Sequence, residues 1–197
     1  GWWTSSGGTG SEMEEDTTVA ITAEQVLYAK WTGCQYTITF DANEGILGSS
    51  STTATYGSAM PSQLTTPSRS GYDFVGYFDS QEGGTKYYDA SMQGSNNWDK
   101  DAPATLYAHW TEASYTVTFD ANGGEDVDIT SKSVIFNSSY DTLAVASRGG
   151  YTLSGWNTRS DGAGSTITAA STVSLTTDHT LFAIWTANTY TVTFDAN

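Results

Sequence analysis

One eight-residue phrase constrains this chain more than any other feature. Tyr36 to Asn43 reads YTITFDAN, Tyr115 to Asn122 reads YTVTFDAN, and Tyr190 to Asn197 repeats the second copy. Within the phrase, Tyr115, Val117 and Phe119 alternate with Thr116 and Thr118. A period of two in β-branched and aromatic residues is the pattern of a half-buried β-strand. Asp-Ala-Asn closes the strand, and Asn122-Gly123-Gly124 reads as a turn because Asn and Gly tolerate positive φ.

The phrase returns with a fixed beat. Tyr36 and Tyr115 lie 79 residues apart, and Tyr115 and Tyr190 lie 75 apart. A second phrase keeps the same steps: Leu27-Tyr28-Ala29-Lys30-Trp31-Thr32, Leu106-Tyr107-Ala108-His109-Trp110-Thr111 and Leu181-Phe182-Ala183-Ile184-Trp185-Thr186. A third lies between them, Gly71-Tyr72-Asp73-Phe74-Val75-Gly76-Tyr77 and Gly150-Tyr151-Thr152-Leu153-Ser154-Gly155-Trp156, with its tail at Gly1-Trp2-Trp3. Internal repetition of this kind decides the architecture before any local reading does. It predicts a C-terminal half-repeat at 1–32, whole repeats at 36–111 and 115–186, and the first strand of a further repeat at 190–197. Read this way, the sequence is a segment of a longer array.

Taken in order, YTVTFDANGG, then a second strand, then R-x-GY-x-[FL]-x-GW, then TLYA-x-W-T, the chain resembles the Listeria-Bacteroides repeat family, which includes the B-repeat of internalin surface proteins. The likeness covers nearly the whole chain. It implies a mainly β, β-rich α+β fold: tandem small β-grasp-like repeat domains in an elongated array on secreted or wall-attached proteins. It brings no catalytic residues. Glu44 stands where Gly is usual, Tyr77 replaces the usual Trp, and Ser91 to Asp101 reads as an insertion.

The charge narrows the partners. Seven Lys+Arg against 22 Asp+Glu leave a net charge of −15. Such a surface repels nucleic-acid phosphates and anionic lipid headgroups. It suits a soluble, mutually repelling surface protein, or one that attracts Ca²⁺ or basic partners. The lone Cys34 excludes an intrachain disulfide and reads as an inert thiol or, less simply, an interchain link. No apolar run reaches membrane-spanning length.

Local signals fill in each repeat. In the first, strands are expected from Tyr36 to Asp41, Thr52 to Tyr56, Tyr72 to Phe78, Lys86 to Tyr88 and Leu106 to Trp110. Met60 to Leu64 is expected as a short helix, and Gly94 to Ala104 as a polar excursion. In the second, strands are expected from Val134 to Phe136, Tyr151 to Asn157 and Thr180 to Trp185, with a helical turn from Asp141 to Ala146. The half-repeat should end on a strand from Leu27 to Trp31. Each junction runs from Trp to Tyr in five steps without Gly-Ser padding, which predicts semi-rigid connections.

Candidates for chemistry are few. His109 and His179 do not share a repeat position, and neither sits in a nucleophile or zinc pattern. The acidic stretch Asp120, Glu125, Asp126 and Asp128 offers oxygen ligands for calcium, though without a calcium-loop spacing. No other cofactor is indicated. Trp3 and Trp98 lack aromatic counterparts in the last repeat and are candidates for stacking on a glycan or a protein, whereas Trp2 aligns with Tyr77 and Trp156 and reads as core. Asn137-Ser138-Ser139 matches a glycosylation pattern.

The leading expectation is a non-enzymatic extracellular stalk, spacer or fibre component at the cell surface or secreted. The alternative is an adhesion module for a host protein or glycan. The expected partners are neighbouring repeats, identical chains in a fibre, or such a ligand, and neither nucleic acid nor a membrane interior. Strand 190–197 could also pair with an open sheet edge of another chain.

Overall fold

The computed structural model describes residues 1–18, 20 and 22–196. Its strands, in chain order, are β1 (Trp2–Trp3), β2 (Glu12–Met13), β3 (Tyr28–Ala29), β4 (Gln35–Asp41), β5 (Ser51–Thr55), β6 (Tyr72–Phe78), β7 (Lys86–Asp89), β8 (Ala104–Glu112), β9 (Ser114–Asp120), β10 (Ser131–Ile135), β11 (Tyr151–Asn157), β12 (Thr166–Ile167) and β13 (His179–Ala187). They form one three-stranded sheet, β2-β1-β3, and two five-stranded sheets, β5-β4-β8-β6-β7 and β10-β9-β13-β11-β12. The two large sheets have the same topology. In each, the first and last strands run parallel side by side, β4 with β8 and β9 with β13, and the remaining pairs are antiparallel. A parallel pair needs a long crossover. Here the three intervening strands of each repeat supply it.

The alternation in the repeated phrase sets which face is inside. Val117 and Phe119 are buried while Thr116 and Thr118 are exposed, and Ile38 and Phe40 repeat the pattern in β4. Against them stand Leu106 and Ala108 in one sheet and Leu181 and Ala183 in the other, all fully buried. Aromatics complete each core. Phe40 meets Tyr77 at 4.5 Å and Tyr88 at 5.7 Å, and Phe119 meets Trp156 at 4.8 Å. Burying side chains of this size contributes about 1.5–3 kcal/mol each, which matters in units as small as these. β6 and β11 carry matching bulges against their closing strands, between Phe74 and Gly76 and between Leu153 and Gly155.

Several expectations need correction. The fold is mainly β without the helical part of an α+β repeat: a 3-10 turn at Ser6–Gly8 is the only helical element among the described residues. Met60 to Leu64 and Asp141 to Ala146 are not helical. Pro61 disfavours α geometry at Met60, and Gln63 and Asp141 take positive φ, 65° and 55°. The chain at or just after each segment is instead hydrogen-bonded to the loop that follows the first strand. Ser49 donates its backbone N–H to Thr65, and Asp128 donates its own to Val145. Trp2 is 56% exposed and so is not a core residue. β3 is shorter than the expected Leu27 to Trp31. Residues 190–196 carry a strand sequence, yet no strand forms there among the described residues, and Asn197 lies outside them. Propensity alone does not make a strand without a partner to pair with.

Trp98 is the instructive case. It is fully buried and packs on Tyr87 at 5.2 Å. Its carbonyl accepts from Gly57 N–H and its N–H donates to Ser58, the same two bonds that Val173 makes with Asn137 and Ser138. The polar excursion is therefore a detour that delivers Trp98 to the core position of Val173. Two buried polar atoms in this first core, Tyr77 Oη and Trp98 Nε1, lack a hydrogen-bond partner. Trp156, at the position of Tyr77, donates its indole N–H to Ala144 at 2.9 Å.

Burial pushes Tyr77, Tyr87 and Tyr88 from 10.0 up to about 12. An unfolded chain releases these protons first, so the stability that they contribute is complete below pH 10 and is lost as pH rises through about 12. Absorbance titration should show these phenols ionising late, together with loss of near-ultraviolet circular dichroism. Replacing Tyr77 by Phe removes an unsatisfied hydroxyl. Chemical denaturation should find the variant at least as stable as the parent, by up to about 1 kcal/mol; a loss would mean that the hydroxyl has a partner.

Candidate functional site

The repeated phrase builds a clamp around the last strand of each repeat. Asp41 and Asp120 accept the backbone N–H of Asn43 and Asn122 at 2.8 and 2.7 Å, which turns the chain at the strand end. The turned asparagines donate their side-chain amides to the carbonyls of Ala108 and Ala183, at 3.0 and 2.9 Å. In return, the closing-strand Trp110 and Trp185 donate their indole N–H to the carbonyls of Ala42 and Ala121, at 2.9 and 2.8 Å. The indoles lie so close to Gly45 and Gly124 that a Cβ there would come within 2.6 and 2.5 Å of ring carbon. The phrase thus binds its own repeat's tryptophan, which is why both recur with one period.

The closing strand also reaches the next repeat. β8 ends at Glu112 and β9 begins at Ser114, so only Ala113 separates the two sheets. Ala113 is buried and hydrogen-bonded on both sides: its N–H donates to Gly71 of the preceding repeat, and its carbonyl accepts from Phe136 of the following one, both at 2.9 Å. The Phe136 ring then lies edge-on to Tyr72, centroids 5.5 Å apart. Tyr72 also lies under Arg69, whose guanidinium sits 4.0 Å from the ring centre and pairs with Glu44. Gly71 has φ 81°, and a Cβ on it would come within 2.5 Å of Phe136. Glycine is required twice over here, by the backbone and by the ring.

Half of this interface exists at each of two further places. On the far side of the second whole repeat, Asn188 donates its N–H to Gly150 at 2.9 Å and Arg148 covers Tyr151 at 4.0 Å, but nothing lies within 4 Å of a Cβ built on Gly150. At the start of the first whole repeat, Tyr56 holds the Phe136 position and donates its N–H to Cys34 at 2.8 Å, while its side chain is 49% exposed. The Cys34 thiol is free and exposed.

The residues singled out from sequence are scattered. Trp3 lies under Lys30 at 4.5 Å, and Trp98 is in the core. Asp120 and Asp128 spend carboxylate oxygens on backbone N–H groups of Asn122 and Val145. With Glu125 and Asp126 they do not gather: among the described residues, no three acidic, His or Cys side chains converge as metal ligands. His109 stacks on Phe78 at 4.0 Å and lies 2.9 Å from the Ser80 carbonyl, whereas His179 shares a hydrogen bond with Tyr140 at 2.8 Å. Asn137 sits at φ 62° in the turn after β10. The junction aromatic Phe136 was not singled out. Its signal was its alignment with Tyr56, one step before a positive-φ residue in both repeats.

Sheets repeated along the chain and joined through their closing strands define a tandem-repeat β-protein. The chain belongs to the Listeria-Bacteroides repeat domain family, which it matches at residues 36–109 and 115–184. It is similar to Internalin H of Listeria monocytogenes, with 33% identity over 61% of this chain and 20% of the relative. It is also similar to two Evansella cellulosilytica proteins provisionally named a membrane protein and a Gly-rich membrane protein. Each is 28% identical, over 87% and 88% of this chain and 25% and 20% of the relatives. The chain therefore spans a quarter or less of the length of these relatives. Among the described residues, no helix is long and apolar enough to cross a membrane.

The junction makes a sharp demand on one residue. Gly71→Val should expel Phe136 and free the two whole repeats to tumble separately, seen as shorter rotational correlation times in ¹⁵N relaxation. Backbone strain at that position should also cost the first repeat about 1–3 kcal/mol. Phe136→Ala should loosen the junction with little effect on the first repeat. Unchanged tumbling in both variants would show that the contact does not couple the repeats.

Proposed function

We propose that this chain is an extracellular structural segment of a cell-surface or secreted protein, in which β-grasp-like repeats act as a stalk, spacer or fibre component. One observation carries the reading: Ala113 is the whole linker between two sheets and is bonded to both. A linker of one buried residue sets direction as well as distance, whereas a binding module on a flexible tether needs neither. The surface supports the reading too. A net charge of −15 keeps such segments apart from one another and from anionic surfaces. The names of the relatives, an internalin and membrane proteins, agree with a place at the cell surface.

The adhesion reading has less to stand on. Of its two tryptophans, Trp98 is buried and Trp3 is half-covered. The repeat is read as non-catalytic, in keeping with a geometry spent on closing strands and joining sheets.

Small-angle scattering tests the proposal. The expected result is an extended particle whose pair-distance distribution fits one fixed arrangement of the two whole repeats and does not change when calcium is added or chelated. A distribution that requires a broad ensemble of inter-repeat angles would remove the spacer reading.

A further inference from the structure

We propose that the first whole repeat carries a binding site for a neutral saccharide unit, in the cavity between its first-strand turn and the loop that joins β6 to β7. The second whole repeat has the same turn and the same loop, and there the two are tied together. Asn122 donates its side-chain amide twice, to Ala183 at 2.9 Å and to Ser160 of the loop at 2.8 Å. Asn157 holds the loop as well, donating to the carbonyls of Gly162 and Gly164 at 3.2 and 3.1 Å. Ile184 reaches the same loop, with its Cδ1 3.5 Å from a Cβ built on Gly162.

Two replacements open this space in the first repeat. Phe78 stands where Asn157 does, and His109 stands where Ile184 does. The imidazole stacks on the Phe78 ring at 4.0 Å, and its Nε2 lies 2.9 Å from the Ser80 carbonyl. The loop is fixed by other means. Thr85 donates its N–H to Asp79 at 2.7 Å, and Lys100 donates to the same carboxylate at 2.8 Å. Lys100 comes from the excursion that also delivers Trp98. Among the described residues nothing lies within 4 Å of a Cβ built on Gly83, and the Asn43 amide has one acceptor, Ala108, where Asn122 has two. The result is a cavity of about 360 Å³ lined by Asn43, Arg69, Gln81, Glu82, Gly83, His109 and Trp110. That volume is at the small end for ligand sites and suits a single ring.

The lining selects the class of ligand. The amides of Asn43 and Gln81 donate and accept, and Glu82 accepts. A neutral His109 must carry its proton on Nε2 to bond the Ser80 carbonyl, which leaves Nδ1 as an acceptor. Arg69 is already paired with Glu44, and Glu82 adds a negative charge, so the cavity favours neither an anion nor a cation. The half-buried Trp110 ring, held by its bond to Ala42, adds an apolar wall. A ligand that answers donors and acceptors together, carries no charge and offers an apolar ring face is a hexopyranose unit of a glycan. The site lies wholly within the first whole repeat, so it stands apart from the spacer role, which belongs to the Ala113 junction.

Nuclear magnetic resonance on the ¹⁵N-labelled full chain tests it. The probes are the methyl glycosides of glucose, galactose, mannose and N-acetylglucosamine, each up to about 50 mM, because a ligand of so few atoms binds in the millimolar range. At least one of them should saturably shift the side-chain amides of Asn43 and Gln81 and the indole signal of Trp110, while Asn122 and Trp185 of the second repeat stay in place. Gln81→Ala, in the exposed loop, and His109→Ile, which copies the second repeat, should each weaken that binding at least about tenfold. The rest of the spectrum should stay unchanged in both, as the sign of an intact fold. N-acetylneuraminic acid, a charged sugar, should bind less well than the neutral glycoside. The proposal is overturned by the absence of a saturable shift with all of the neutral glycosides, by equal shifts in the two repeats, by preference for the charged sugar, or by binding that either substitution leaves intact.

Discussion

The hydrogen bond from the closing-strand indole to the alanine carbonyl of the first-strand phrase holds each whole repeat together. It joins residues more than sixty positions apart, Trp110 to Ala42 and Trp185 to Ala121. The first and last strands must lie side by side for it to form, and everything between them must be a crossover of the right span. The asparagine amide bonding back to the closing strand makes the contact reciprocal. Two charge-neutral polar contacts at a strand end contribute modestly in net energy, but leaving the buried groups unpaired would cost more. A repeat that has the strand and lacks the tryptophan, or the reverse, leaves its apolar residues in water.

Trp31, Tyr190 and Phe194 are among the most exposed large apolar side chains of the described residues. In the whole repeats the counterparts Trp110 and Trp185 are half-buried, and Phe40 and Phe119 are buried. The clamp is where the half-buried tryptophan of each whole repeat finds its hydrogen-bond partner.

The closing strand has a second use. Having been fixed by the clamp, β8 passes through Ala113 directly into β9, and the two backbone bonds of Ala113 tie the preceding turn at Gly71 to the following turn at Phe136. Stability within a repeat and orientation between repeats therefore rest on one strand. The substitution of Tyr77 for the tryptophan found at position 156 leaves a polar atom unsatisfied in the first core. The Tyr77 ring still packs on Phe40 and Phe74.

Much of this was legible in the sequence because strand identity is a local property. The period-two phrase predicts β4 and β9 to within a residue, and Tyr72–Phe78 and Tyr151–Asn157 form the strands that their alternation indicates. What the sequence could not decide by itself was which strands and tryptophans would find partners. Met60 to Leu64 reads as a capped helix, but Pro61 disfavours α geometry at Met60, Gln63 takes positive φ, and the chain bonds to the neighbouring loop at Thr65. Trp98 reads as a surface aromatic in a polar insertion, and its place in the core follows from a detour that only the tertiary structure traces. A hint was present all the same: Trp98 precedes Leu106 by eight residues, as Val173 precedes Leu181. The sequence determined the unit, its period and its buried face, since these depend on alternation along one strand. The tertiary structure decided the strand order, the Ala113 junction and the exposure of Trp2 and Trp31, since each of these depends on whether a segment distant in the chain comes to lie alongside.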